Sequence, residues 1–231
     1  MKIGILQTGY VLEELEDEHG TYPEMFAQLL AGHGFEFESF AVLDGKFPNS
    51  IHDADGWLIT GSKYGAYEDH SWIPPLEDLI RDIYQADIPL AGICFGHQIM
   101  AQALGGKVEV FGGQWGLGNT EYIHSDGSKS RLHAFHQDQV TVKPADATVT
   151  ASNDFCEFAA LSYKNKAISI QPHPEFSAKF LKDLIDRRIG TVLPVDQAEA
   201  ALESLSKGDD SARIGLQIAQ FFKEALAEKA A

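Results

Sequence analysis

The sequence predicts an α/β fold in which a mostly parallel sheet carries helices on both faces. Short apolar runs alternate with segments of helical periodicity through the first hundred residues, and a β-rich stretch follows them. Strands that alternate with helices are typical of parallel sheets, because each crossover helix packs on a face of the sheet. The β-rich stretch predicts a small antiparallel extension.

The alternating elements can be assigned in chain order. Four segments have the character of strands: KIGIL at 2–6, FEFESFAV at 35–42, DGWLITGS at 55–62 and PLAGIC at 89–94. Three segments have helical spacing of apolar residues: TYPEMFAQLLAGHG at 21–34, IPPLEDLIRDIYQA at 73–86 and GHQIMAQALGG at 96–106. Glycines at the end of the first helix and prolines at the start of the second mark their boundaries.

The middle of the chain has a different pattern. Between residues 107 and 171 lie six short β-like runs: VEVF, NTEYIH, QVTV, TVTAS, FAALSY and KAISIQ. Residues 177–188 then return to a helix capped by Ser177. A short helix within 190–210 and a last helix from about 211 follow. We expect a single domain over 1–231, with its core in about 2–188 and a C-terminal helical segment in about 190–231.

Composition excludes several kinds of partner. Eighteen basic against 34 acidic residues give a formal net charge of −16, which repels nucleic acid and anionic membranes. No apolar run approaches the roughly 18 to 20 residues that a membrane span needs, and the N-terminus turns acidic too early for a signal peptide. Two cysteines without CxxC spacing predict no disulfide framework. The expected compartment is therefore the cytoplasm.

One cysteine lies where a strand meets a helix, in AGICFGHQ at 91–98. Gly92 and Gly96 flank Cys94 as in the G-x-S-x-G nucleophile elbow, where the chain passes close to itself and needs small neighbours. The free amides at a helix N-terminus also favour a thiolate. The alternative is a buried cysteine that only fills the core. Cys156, in NDFCEFAA, has no comparable surroundings.

A thiolate nucleophile needs a base and a group that orients the base. In AISIQPHPEFS, His173 follows an apolar run and Glu175 stands two residues later. Residues two apart in extended chain project to the same side, so the carboxylate can bond the imidazole. A surface ion pair or half of a metal site are the alternatives. The absence of an HExxH motif and the two cysteines make a metal the weaker explanation, and no metal is predicted.

These motifs carry a resemblance to a known family. GICFGHQ followed by IMAQALGGKVE, with QPHPEF downstream, resembles the class I glutamine amidotransferases over most of residues 2–188. The chain is similar to stand-alone relatives of the glutaminase part of GMP synthetase and to plant γ-glutamyl peptidases, which carry a similar GxCFGHQ. The resemblance implies a flavodoxin-like α/β sheet with a small antiparallel extension.

The resemblance also implies roles for individual residues. Cys94 matches the nucleophile, His173 the general base and acid, and Glu175 the group that orients it. The backbone amides of Phe95 and of Gly61, in LITGSKYGAY, match the oxyanion hole.

Three further residues match the substrate site of the family. Gln98 matches a substrate-binding glutamine, and AFHQDQV, with His136 and Asp138, resembles a segment whose backbone meets the substrate. Two features depart from the family pattern: TGSK replaces a GGP-like oxyanion loop, and Gln137 stands where glycine is common.

The implied reaction is hydrolysis of the γ-amide of glutamine or of a γ-glutamyl compound through a γ-glutamyl thioester, which releases glutamate and ammonia or an amine. The small-molecule substrate is the expected partner. Either a separate synthase subunit receives the ammonia, or the chain works alone. No motif of the form GxxxxGKS or GxxxxGKT occurs, so no nucleotide cofactor is implied. The alternatives are a binding or regulatory module with an idle site, and a redox-sensing thiol resolved by Cys156.

Overall fold

The computed structural model describes residues 1–164 and 166–227. The strands are β1 (Lys2–Gln7), β2 (Glu36–Ala41), β3 (Gly56–Ile59), β4 (Leu90–Ile93), β5 (Lys107–Val110), β6 (Gly116–His124), β7 (Lys129–His136), β8 (Asp138–Val142), β9 (Ala147–Ser152), β10 (Ala160–Tyr163) and β11 (Ala167–Ile170). The helices are α1 (Glu13–His19), α2 (Tyr22–Leu29), α3 (Ile73–Gln85), α4 (Phe95–Ala103), α5 (Ala178–Arg188), α6 (Val195–Ser204) and α7 (Ser211–Ala227).

Nine strands form one mixed sheet. Their order is β2-β1-β3-β4-β11-β10-β9-β6-β7, and a separate two-stranded sheet pairs β5 with β8. The first five strands in this order pair in parallel, and the pairs from β11 to β7 are antiparallel. The predicted α/β class, with a parallel sheet extended by antiparallel strands, is confirmed.

One strand that the sequence predicts in the antiparallel extension belongs to the parallel part of the sheet. Strand β11, from the KAISIQ run, pairs in parallel with β4 in the middle of the sheet, with Ile170 opposite Ile93. Its neighbour β10 is antiparallel to it. Placing this run in the antiparallel extension was therefore wrong, because a short apolar run does not specify which strand it will pair with.

Helices cover both faces of the sheet, as predicted. On one face, α3 and α4 bury Ile80 and Met100 in a cluster that contains Trp57 of β3. On the other face, α2 and α7 bury Phe26 and Phe222 against β1. A third cluster, centred on Phe180, joins α5 and α6 to α1. No described helix is long and apolar enough to cross a bilayer.

The carboxyl ends of three parallel strands meet at one edge. Gly92 of β4 lies opposite Ile59 of β3 and opposite Ser169 of β11. The residues that follow these strands therefore leave the sheet together, where ligands bind in open α/β sheets. The sequence places Gly61, Cys94 and His173 at these three ends.

Candidate active site

Cys94 occupies a strained turn between β4 and α4. Its backbone has φ 54° and ψ −106°, which is a left-handed conformation that few non-glycine residues adopt. A Cβ at Gly92 would lie 2.5 Å from the carbonyl oxygen of Gly96, and one at Gly96 would lie 2.4 Å from that of Ile59. The two flanking glycines are thus required by the close approach of the chain to itself.

His173 links a carboxylate to the sulfur. Its Nδ1 donates to Oε1 of Glu175 over 2.6 Å, and both side chains are buried. Cys94 lies close enough to the imidazole to raise the pKa of His173. Because Nδ1 faces Glu175, Nε2 is the nitrogen left for the sulfur. Folding therefore brings Glu175, His173 and Cys94 together.

The electrostatics of these three residues favour a charged imidazole. Burial lowers the pKa of His173, but the charges of Glu175 and Cys94 and the hydrogen bond to Glu175 outweigh burial and raise this pKa to about 10. The imidazole can therefore hold a proton between the sulfur and the carboxylate at neutral pH.

Two residues that the sequence analysis missed hold the imidazole in place. The ring of Phe176 stacks on that of His173, with centroids 3.9 Å apart and planes 6° apart. His133 receives a hydrogen bond from the amide of His173 at its carbonyl, and its Nδ1 donates to the carbonyl of Phe176, each over 2.8 Å. Strand β7, which carries His133, was not predicted either.

The two residues predicted for the oxyanion hole lie next to Cys94. Phe95 is the first residue of α4, and within 1–164 and 166–227 its amide donates no hydrogen bond. A Cβ on Gly61 would lie 3.0 Å from Cε1 of His173 and 3.7 Å from Cβ of Cys94. The hydroxyl of Thr8 lies 3.1 Å from the carbonyl oxygen of Gly61 and fixes this loop.

The three predicted substrate-binding residues are in contact with one another. Nε2 of Gln98 donates to the carbonyl of Asp138 over 2.8 Å and to Oε1 of Gln171 over 3.1 Å. Nδ1 of His136 donates to the same carbonyl of Asp138 over 3.2 Å. Burial lowers the pKa of His136 to about 4, so the ring is neutral at pH 7. Gln98 and His136 thus fix the backbone at Asp138.

A cavity of about 410 Å³ opens above the sulfur. Its volume falls in the range of small-molecule sites. The lining residues are Ser62, Lys63, Tyr64, Gly65, Tyr67, Glu68, Cys94, Gln98, Val110, Trp115, Phe135, His136, Gln137, Asp138, Leu184, Arg188 and Val192. The cavity is therefore lined by Cys94 and by all three predicted substrate-binding residues.

One side of the cavity is acidic. Glu68 accepts a hydrogen bond from the amide of Gly65 over 3.1 Å, and this bond lowers the pKa of its carboxyl. The hydroxyl of Tyr67 donates to Oδ1 of Asp138 over 3.3 Å, and burial raises the pKa of Asp138. Two carboxyl groups thus lie beside the loop that carries Gly61.

Three potential metal ligands cluster elsewhere. Glu18, His19 and Asp183 place ligand atoms within 4.8 Å of one another. The ammonium of Lys179 lies 2.5 Å from Oε1 of Glu18 and 2.8 Å from Oδ2 of Asp183. The ion pairs with Lys179 explain why these two carboxylates lie close together. None of the three potential ligands lines the cavity.

Comparisons with known proteins show which family the chain resembles. The sequence profile of "Glutamine amidotransferase class-I" matches residues 15–187. "Gamma-glutamyl peptidase 4" of Arabidopsis thaliana is 31% identical over 220 residues, which cover 88% of each chain. A glutamine-hydrolyzing GMP synthase subunit of Halobacterium salinarum is 28% identical over 171 residues, which cover 69% of this chain and 86% of that one.

A solved structure supports the same fold. The glutamine amido transferase from Methylobacillus flagellatus superposes with a TM-score of 0.79 at 20% identity, covering 98% of this chain and 94% of that one. The fold and the matched profile define an enzyme class built on an α/β sheet with its site at the strand ends. The chain belongs to the class I glutamine amidotransferase family.

Proposed function

We propose that the chain hydrolyses the γ-amide of a γ-glutamyl compound through a thioester on Cys94. The observation that supports the proposal is the placement of His173 between Glu175, which it hydrogen-bonds, and Cys94, which lines a ligand-sized cavity. A thiolate, a base and an orienting carboxylate in this order are the groups that nucleophilic acyl transfer needs.

The reaction follows from the geometry. The sulfur of Cys94 attacks the amide carbon, and the oxygen that becomes negative accepts hydrogen bonds from the amides of Phe95 and Gly61. Loss of one such donor costs about 3 to 4 kcal/mol of transition-state stabilisation in comparable enzymes. The C–N bond then breaks, and His173 gives its proton to the leaving nitrogen. A water molecule, deprotonated by His173, cleaves the thioester and releases glutamate.

The cavity offers polar groups that complement the glutamyl part of the substrate. The carbonyl of Asp138, held by Gln98 and His136, belongs to the segment that matches the substrate site of the family. The carboxyl groups of Glu68 and Asp138 attract a cation, and the α-ammonium of a γ-glutamyl group is one. We therefore assign the glutamyl head to this acidic side.

Two versions of the function remain to be separated. The match to a γ-glutamyl peptidase covers 88% of both chains, which favours a hydrolase that works alone. The match to a GMP synthase subunit supports the second candidate, in which ammonia from glutamine passes to a separate synthase. A cytoplasmic location, an idle binding module and a single unit over 1–231 stay predictions.

A substrate panel tests the proposal. The purified chain is assayed for glutamate release from glutamine, γ-glutamyl amides and γ-glutamyl peptides, with Cys94→Ala and the matched core variant Cys156→Ala beside it. We expect turnover by the wild type and by Cys156→Ala, none by Cys94→Ala, and a γ-glutamyl adduct on Cys94 by mass spectrometry. Wild-type turnover by Cys94→Ala would refute the mechanism. Inactivity of the wild type on the whole panel would favour the binding module.

A further inference from the structure

The cavity that Cys94 lines also carries an arginine. Arg188 is the last residue of α5, is half-buried and lines the cavity with Cys94. Its carbonyl accepts hydrogen bonds from the amides of Val192 and Leu193, each over 3.0 Å, and from the hydroxyl of Thr191 over 2.9 Å. The backbone that presents this side chain is therefore fixed.

The guanidinium of Arg188 has no anionic partner in the described part of the chain. Within residues 1–164 and 166–227, Arg81, Arg131 and Arg213 each pair with a carboxylate, whereas Arg187 and Arg188 do not. A chain with 34 acidic residues and a net charge of −16 offers many such partners. A cation without a carboxylate partner thus lines the same cavity as Cys94.

The wall around Arg188 is apolar and aromatic. Trp115 and Phe135 meet edge to face, with ring centroids 5.5 Å apart. Leu184 lies one helical turn before Arg188, and Val192 follows it across the turn. All four line the cavity. Ammonia, the leaving group of glutamine, is too small to use such a wall, whereas an amine with a side chain would bury it there.

We propose that Arg188 and this wall bind the leaving amine of the γ-glutamyl substrate, with the guanidinium on the carboxylate of that amine. The substrate class is then a γ-glutamyl amino acid or short γ-glutamyl peptide with a free carboxylate. The proposal rests on the proposed function and extends it to a second group of residues that line the cavity. Arg188 determines specificity and takes no part in bond breaking.

Charge and shape both support this assignment. An anionic substrate approaches a chain of net charge −16, so a local cation is needed to hold its carboxylate. Guanidinium binds a carboxylate through two parallel hydrogen bonds. Because the acidic side suits the α-ammonium, the basic and apolar side is left for the amine that departs.

The competing role of Arg188 is structural. Arginines in the last turn of a helix interact favourably with its dipole. Arg187 shares that turn but lines a different groove, with Glu14, Leu15 and Glu18. Arg187→Gln is therefore a matched control that removes the same charge from the same turn without touching the cavity.

The experiment compares substrates that differ in one charge. γ-Glutamylphenylalanine, its C-terminal amide and glutamine are assayed with wild type, Arg188→Gln and Arg187→Gln. We expect Arg188→Gln to lower kcat/KM for the free acid by roughly 10- to 100-fold, the range of a charged hydrogen bond. The amide and glutamine should change by less than about threefold, and Arg187→Gln should leave all three substrates unchanged.

A binding measurement separates this proposal from the catalytic one. The same ligands are titrated by calorimetry into Cys94→Ala with Arg188 intact or replaced by Gln. Arg188-dependent binding of the free acid supports the subsite even if no turnover occurs, in which case the catalytic proposal alone fails. Equal losses for the acid, the amide and glutamine, or no loss for any of them, would overturn the subsite.

Discussion

The imidazole of His173 lies flat against the phenyl ring of Phe176, with centroids 3.9 Å apart and planes 6° apart. An aromatic face attracts a cation, and the pKa of His173 is raised to about 10, so the stacked imidazole is charged at neutral pH. Phe176 follows Glu175 directly in the chain. One short segment therefore supplies the carboxylate at the edge of the imidazole and the ring on its face.

Removing this stacking should weaken the charged imidazole. Phe176→Leu keeps an apolar side chain but loses the aromatic face, which stabilises a cation by about 1 kcal/mol. We expect a lower pKa of His173 in an NMR titration of labelled histidine, with lower kcat. Phe180→Leu removes a ring from the same cluster that contacts Phe176, with centroids 4.6 Å apart, and should leave the titration unchanged. Equal titrations in the two variants would contradict this role.

Replacing Glu175 by Gln should reduce both rate and stability. The imidazole loses the carboxylate that orients it, and we expect kcat to fall by roughly 100-fold. His173 binds its proton more tightly in the folded chain than at the ordinary pKa of about 6.5. Its contribution to the free energy of unfolding is therefore complete below about pH 6.5 and is lost as pH rises through about 10.

Denaturant unfolding across this pH range measures the effect. The stability difference between wild type and Glu175→Gln should be largest near pH 6 and shrink toward pH 10. Glu157→Gln, at an exposed position, is the control and should show no such trend. A difference that grows with pH would reverse the assigned charge of the imidazole.

A methyl group at Gly61 should disturb the site without unfolding the chain. Its Cβ would lie 3.0 Å from Cε1 of His173, so the ring or the loop must shift by a few tenths of an ångström. We expect Gly61→Ala to lower kcat by at least tenfold through misplaced groups, with a nearly unchanged melting temperature. Gly208→Ala, whose Cβ would meet nothing within 4 Å, should be neutral in both assays. Full activity of Gly61→Ala would remove this loop from the mechanism.

The single unit predicted over 1–231 can be tested by melting. Phe222 of α7 is fully buried beside β1 and β3, and Phe222→Ala should cost about 3 to 5 kcal/mol. We expect circular dichroism and tryptophan fluorescence to report one transition in wild type, shifted to lower temperature in the variant. Leu216→Ala, half exposed on the same helix, should shift it little. Two separate transitions would indicate that the C-terminal segment folds on its own.

The sequence was informative wherever a motif fixes the local backbone. The flanking glycines predicted the turn at Cys94, and the two-residue spacing predicted the contact between His173 and Glu175. Ser177 caps α5 as expected, accepting from the amide of Phe180 over 3.0 Å. Each of these relationships spans only a few residues, so the chain itself determines it.

Relationships that depend on distant parts of the chain were not visible. Helix α1 escaped notice because its sequence, EELEDEH, buries only Leu15. Arg188 lies next to a predicted apolar face, and only tertiary packing places it at the cavity. Strand β11 looked like its antiparallel neighbours because pairing depends on the whole sheet. Sequence patterns specify elements here, and tertiary packing specifies which of them meet.

The pairing of β3 with β4 has a consequence for how the protein loses activity on heating. The amide of Gly96, two residues after the sulfur, donates to the carbonyl of Thr60 over 3.1 Å, directly before the Gly61 loop. The nucleophile and the loop that faces it are therefore anchored to the same pair of central strands, and neither can come loose while the centre of the sheet stays intact. Heat inactivation should coincide with global melting rather than precede it.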